Sequence, residues 1–148
     1  MIKQISIKTQ FGYISAYETK GKIFKIKFGK IKKQIKSKLL EKFKENLLNF
    51  FSKKISNIDV PYTLEGNATQ RKIWAQLKKI QMGNTMSYGQ LAKKNNLSPR
   101  HIGKICGQNK LLLLVPCHRV IRTDGSLGGF SSIGGIKLKK KLIDFERM

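Results

Sequence analysis

The sequence predicts an α+β fold: a small sheet with one helix packed on it, then a mostly helical region. Three patterns predict it. The first thirty residues alternate with the period of strands, residues 31 to 54 repeat with the period of a helix, and the remainder holds short helical runs opened by capping residues. In Lys22–Phe28 the alternation sets Phe24, Ile26 and Phe28 on one face and Lys25 and Lys27 on the other. Ile5 and Ile7 alternate similarly, and Gly12 and Gly21 punctuate, so a three-stranded meander is the simplest arrangement. Ile31, Ile35, Leu39, Phe43, Leu47 and Phe50 then recur every three or four residues, forming one apolar helix face with Lys on the rest. Residues 1–60 are thus expected to form a structural sheet-and-helix domain. Ser56 to Gly66, with Pro61, reads as a linker, and residues 66–148 as a second domain.

In that second part Asn67-x-x-Gln70 resembles a capping box, and Ile73, Trp74, Leu77 and Ile80 supply a buried stripe that Gly83 stops. Ser87-x-x-Gln90 opens a short helix that Asn95-Asn96 breaks. Ser98 caps a further one, with Pro99 at its first position and Gly107 as its stop. Two short helices joined by a tight polar turn suggest helix-turn-helix. Leu111 to Val115 is a buried strand or core segment, a Gly-rich stretch follows, and a last helix carries Leu138, Leu142, Ile143 and Phe145. The Lys137 to Lys141 cluster reads as a solvated face that also suits phosphates.

The chain has 148 residues, room for one ordinary domain or two very small ones, which excludes a large multidomain enzyme. Lys and Arg number 31 against 8 Asp and Glu, a net charge of +23. A polyanion is the obvious compensating partner. Compositional bias would account for the lysines but not for the shortage of acids, and ion-pair networks would need Glu beside the Lys. Cys106 and Cys117 cannot form a disulfide framework, no stretch approaches a membrane span, and the N-terminus lacks a signal-peptide run. The expectation is a soluble, cytoplasmic protein with reduced thiols. His101, His118, Cys106 and Cys117 fit no common zinc spacing, so no metal is expected.

The chemistry points to Val115-Pro116-Cys117-His118-Arg119-Val120-Ile121. A thiol directly follows a buried run and a proline, with an imidazole and a guanidinium beside it. Cationic neighbours raise the thiolate fraction, and the thiolate is the nucleophile. On local chemistry alone Cys117 is either reactive or an inert core cysteine. Adjacent side chains of an extended segment point opposite ways, so His118 would need a turn or a bridging water to act on it.

Pro-Cys-His-Arg-Val resembles the active-site motif of the O6-alkylguanine-DNA alkyltransferases, and the co-spaced positions agree. Asn109 lies eight residues before Cys117, Arg100 seventeen before it, and Gly103 between them. Ser87-Tyr88-x-Gln90-Leu91-Ala92 is similar to the family's Ser-Tyr-x-x-Leu-Ala helix, Gly128-Gly129-Phe130-Ser131 to its Gly-Gly-Tyr-Ser loop, and Glu146 stands where the family has a glutamate. The likeness covers about residues 66 to 147.

The resemblance implies a small ribonuclease H-like first domain and a winged helix-turn-helix-like DNA-binding second one. It implies that Cys117 attacks the alkyl carbon on guanine O6, and that His118 acts through a water as base, oriented by Glu146. Tyr88 would give a proton or hydrogen bond to the guanine ring, and Asn109 would hold the active-site turn. The backbone of Cys117, Val120 and Ser131 would bond the extruded base, with Cys106 and Gly103 on the pocket wall. Arg100 would fill the gap left in the stack, with Ser98 and Arg119 as further DNA contacts. The implied partner is double-stranded DNA containing O6-alkylguanine, met by a monomer without a cofactor. A thioether is not hydrolysed, so one turnover per molecule follows. Departures from the family pattern are Lys110 for Pro, Thr69 for Phe, Phe130 for Tyr, Cys106 for a frequent Met, and two extra residues between Ser131 and Glu146. A non-catalytic lesion binder is the second reading, though such relatives carry Trp where Cys117 stands. A basic helix-turn-helix regulator is the third, and it leaves the Cys motif unexplained.

Overall fold

The structure, a computed structural model, describes residues 1–130, 132 and 134–148. Its contacts divide the chain into two compact units, Met1–Leu64 with Lys110–Leu114, and Glu65–Asn109 with Val115–Met148.

In the first unit β1 (Lys3–Thr9), β2 (Gly12–Thr19) and β3 (Lys22–Phe28) form an antiparallel meander in the order β1-β2-β3. Lys20 and Gly21 both take positive φ, which lets the two-residue turn between β2 and β3 follow the sheet twist. One sheet face is built from Ile5, Ile7, Ile14, Ala16, Ile23 and Ile26, all at most 2% exposed. The expected alternation of β3 is interrupted here. The register shifts between Tyr17 and Glu18, so that Phe24 has no opposite residue, and Ile23 rather than Phe24 joins Ile26 and Phe28 in the core. A β-bulge leaves an extra residue on one strand and turns it to the other face. Phe24 is half-buried and its ring lies 6.2 Å from that of Tyr17.

The helix expected from residue 31 begins later, as α1 (Lys38–Phe51). Ser37 caps it, its hydroxyl accepting from Leu40 N at 3.1 Å and donating to the buried Glu18 carboxylate. The side-chain cap overrides the upstream periodicity. Ile35 instead exchanges two backbone hydrogen bonds with Gln4, at 2.8 and 3.0 Å. Leu40, Phe43, Leu47 and Phe50 pack α1 against β1 and β2. Residues 58–63 lie along the edge of β3, where Ile23 donates to Pro61 O and accepts from Thr63 N. Leu111–Leu114 is buried core; Leu113 has φ 70°, and only Leu111 makes a bridge, to Ile26.

In the second unit α2 (Ala68–Leu77) opens with a complete Asn67/Gln70 capping box. It ends at Leu77, six residues before Gly83, because Lys79 and Ile80 close tighter turns onto Gln76 O and Leu77 O. Trp74 Nε1 donates to Ile105 O at 3.1 Å and so ties α2 to α4 (Pro99–Gly107). A second complete capping box, Ser87/Gln90, opens α3 (Tyr88–Asn95). Asn96 turns left-handed at φ 59°, and Ser98 accepts from His101 N to start α4 with Pro99 at its first position. This is the expected helix-turn-helix. Two short strands, β4 (Met86–Ser87) and β5 (Val120–Ile121), pair in parallel, and α5 (Gly135–Glu146) ends the unit.

Candidate active site

The run before Cys117 does not continue as a strand. Cys117–Arg119 form a single 3-10 turn after Pro116, closed by Val120 N donating to Cys117 O. This is the turn that the Cys–His adjacency requires. Asn109 holds it from the end of α4, its Nδ2 donating to Val115 O at 2.8 Å and its side chain also bonding Cys117. The β4–β5 pairing then brings Tyr88, first residue of α3, to the same place. Cys117 lies on the wall of a cavity of about 570 Å³ that Tyr88, Arg100, Gly103, Cys106, Arg122 and the Gly128–Phe130 loop also line. Gly128 has φ 73°, and a Cβ there would meet the Tyr88 ring at 3.0 Å, so glycine lets this loop close on Tyr88.

Behind the thiol lies a buried ionic cluster. His118 Nε2 and Glu146 Oε2 are 2.9 Å apart. Arg119 donates through Nε to Glu146 Oε1 at 2.8 Å, through Nη2 to Oε2 at 3.0 Å, and through Nη1 to Ile80 O at 2.6 Å. The carboxylate is therefore gripped in fork geometry and held against the imidazole. Burial alone would push the Glu146 carboxyl up. The hydrogen bonds and charges of His118 and Arg119 outweigh that and hold it at about 2. Burial holds His118 below its ordinary value despite the carboxylate, so it rests neutral. A carboxylate facing Nε2 assigns the proton to that nitrogen and leaves Nδ1 as the free base.

The thiol differs from the simple expectation of a cation-activated cysteine. Burial pushes Cys117 up, and the Asn109 hydrogen bond and the Lys139 charge oppose this without overcoming it. The neighbouring cations give little help because His118 is neutral and Arg119 is engaged with Glu146. The resting group is a thiol that needs a base.

Arg119, expected among the DNA contacts, has its guanidinium buried in this cluster, so a phosphate would have to compete with Glu146 for it. Arg100 is exposed at the cavity, near the start of α4, and the Ser98 hydroxyl is occupied as the cap of that helix. Val120 is fully buried in the β4–β5 pairing. Cys106 lies on the cavity wall, its thiol pushed to about 12 by burial and by the nearby Cys117. Ser131 lies outside the described residues.

Lys139 corrects the expectation of a solvated 137–141 face. It is 0% exposed. Its Nζ donates to Leu127 O at 2.6 Å, Gly129 O at 3.1 Å and Tyr88 Oη at 3.3 Å. Burial lowers it to about 8, against the pull of Cys117 and Cys106. Tyr88 is pushed to about 12, first by burial and then by the two cysteines, so it keeps its proton. The signal for Lys139 was present: it stands seven residues before Glu146 and four before Ile143, on one face of α5. Arg122 was also missed, and no pattern in the sequence marks it.

A model described as the DNA-binding domain of 6-O-methylguanine DNA methyltransferase matches residues 68–148. A methylated-DNA–protein-cysteine methyltransferase of Methanocaldococcus vulcanius is 41% identical over 95 residues, 64% of this chain but 57% of that protein. One of the same name from Metallosphaera sedula is 31% identical over 150 residues, covering 99% of this chain and 94% of the relative. Among solved structures, Mycobacterium tuberculosis OGT in complex with DNA superimposes with a TM-score of 0.86 at 25% identity, covering 97% of this chain and 92% of that one. The fold and the matched region thus place the chain in a class of DNA-associated methyltransferases. The chain belongs to the methylated-DNA–protein-cysteine methyltransferase family. No helix among the described residues is long and apolar enough to cross a membrane.

Proposed function

We propose that this protein repairs DNA by taking the alkyl group from guanine O6 in duplex DNA onto Cys117, once per molecule. The observation that carries the reading is a thiol on a cavity of about 570 Å³, roomy enough for a flipped-out nucleotide, backed by a buried histidine–carboxylate pair. The alkyl carbon is out of reach inside a duplex, so the nucleotide is flipped into the cavity and Arg100, exposed at its mouth, takes its place in the stack. His118 Nδ1 draws the thiol proton through a water, and Glu146 stabilises the imidazolium that forms. The thiolate attacks the alkyl carbon; the S–C bond forms as the C–O6 bond breaks, and its electron pair passes into the purine. Tyr88 delivers the proton that leaves a neutral guanine. Lys139, donating to Tyr88 Oη, stabilises the oxygen as that proton departs. Arg119 acts by holding Glu146 rather than by touching DNA. Val120, Ser131, Cys106 and Gly103 belong to the base pocket in this reading. Ser98 places the start of α4 at the backbone, and duplex DNA is bound by a cytoplasmic monomer through phosphate contacts. No cofactor is needed, because the DNA is the alkyl donor.

The test is the mass of the intact protein after incubation with an O6-methylguanine duplex. One added methyl group on Cys117, saturating at one equivalent, is expected. An unmodified, folded and reduced protein would overturn the proposal.

A further inference from the structure

Fifteen of the 31 basic residues fall in the first 64 positions, where none of the proposed chemistry lies. Some of them have a definite setting. One face of the β1–β2–β3 sheet packs on α1. The opposite face carries three half-buried rings, Tyr13, Tyr17 and Phe24, and Phe24 is there because of the bulge in β3. The Tyr17 and Phe24 rings lie 6.2 Å apart, tilted by 52°. Lys25 and Lys27 hold their ammonium groups 5.6 and 5.7 Å from the centre of the Tyr17 ring, and Lys30 lies 5.0 Å from that of Tyr13. Carboxylates are absent from this group among the described residues. Glu18 is buried against Ser37, Glu41 and Glu45 are on α1, and Asp59 lies beyond that helix.

We propose that this sheet face is a second nucleic-acid site that takes single-stranded nucleic acid. Bases stack on Tyr17 and Phe24, and phosphates meet Lys25, Lys27 and Lys30. Residues 29–31 cover Ser6 and Ser15 at the centre of this face, and the rings and cations are left interleaved beside that cover. Rings and cations are the two components of sequence-tolerant single-strand binding. The lysines alone would suit any polyanion. The rings choose among them: a duplex hides its base faces, and an acidic peptide would pair with the ammonium groups and leave the rings unused. Each lysine now over a ring is mobile enough to swing to a phosphate as a base takes its place. The site shares no residue with the lining of the Cys117 cavity and does not depend on the alkyl-transfer reading.

Two measurements on the full chain test it. The wild-type protein is irradiated with an oligothymidylate carrying 4-thiothymidine, and the cross-linked peptides are mapped. Adducts at Tyr17 or Phe24 are expected, and adducts confined to residues 65–148 would overturn the proposal. Binding of a labelled oligothymidylate is then compared with binding of a short undamaged duplex. The Tyr17→Ala/Phe24→Ala double variant should lose about tenfold or more in single-strand affinity, with duplex affinity within about twofold of wild type. Lys25→Gln/Lys27→Gln should lower the salt dependence of single-strand binding, its slope falling by about one. Equal loss on both substrates, or no loss on either, would overturn the site. Alkyl transfer from a free alkylated base should be unchanged in every variant. Its failure in wild type would sink the proposed function and leave this site untouched.

Discussion

The two units handle charge in opposite ways. The first buries an apolar core with two polar exceptions, Ser15 and Glu18, and keeps its lysines at the surface. The second buries Asn109, His118, Arg119, Lys139 and Glu146 within one region. Such groups are costly to bury unless paired, and unpairing one is costlier still. The first unit's charge is therefore replaceable, residue by residue, whereas the second unit's is a single linked device. Cys117→Ser is the sharpest way to separate them. It should abolish the methyl adduct entirely and leave duplex binding intact, read by mass and by anisotropy.

Glu146→Gln attacks the linkage itself. The carboxylate receives three hydrogen bonds, two from Arg119 and one from His118, and its loss leaves a buried guanidinium without an anion. Stability should fall by roughly 3–5 kcal/mol, and transfer should slow by about a hundredfold or more as the base loses its orienting group. A variant melting like wild type would break the comparison. The pH dependence of stability carries the same signature. The folded Glu146 sits at about 2, below its unfolded value, so its contribution is complete above that unfolded value and is lost as pH falls through about 2. Acid unfolding of Glu146→Gln should lack this component.

Lys139 gives the next largest effect. Burial lowers it to about 8, so it is charged below that pH and neutral above. If its charge supports both the Cys117 thiolate and the Tyr88 oxygen, the transfer rate should fall as pH rises through about 8, by roughly tenfold to a hundredfold. Lys139→Met should be slow at every pH and lose that limb. A variant that is slow but keeps the limb would assign it to another group.

The helices of the second unit were legible because their starts are written in side chains: Asn67/Gln70, Ser87/Gln90 and Ser98-Pro99 all cap as read. Where a nearby competing signal existed, periodicity misled. Ser37 starts α1 seven residues after Ile31, and the bulge at Phe24 reverses part of β3, an event that depends on the neighbouring strand. Cys117 and His118 were legible in their local motif and Glu146 through the family resemblance, and the structure brings His118 and Glu146 into contact. The raised thiol and the enclosed Lys139 were not, because burial by residues distant in sequence decides both. Arg119 was expected among the DNA contacts, and only the fork to Glu146 shows where its guanidinium is engaged.

The smallest effect is expected on the surface of the first unit, and it is the one that would most alter the comparison. Lys42 and Lys44 are exposed on α1, and among the described residues no ion pair involves them. Their replacement by Gln should change stability by no more than about 0.5 kcal/mol, since exposed charges contribute little even with Glu41 and Glu45 on the same helix. Two fewer positive charges should even relieve some of the self-repulsion of a chain with net charge +23. Ser87→Ala, which removes one capping box in the second unit, should by contrast cost about 1 kcal/mol. It would also loosen the start of α3, where Tyr88 is held. If Lys42→Gln/Lys44→Gln proved as damaging as the lost cap, the lysines of α1 would have to be structural. The replaceable surface would then shrink to the strands, where the rings already give the lysines a reason to be.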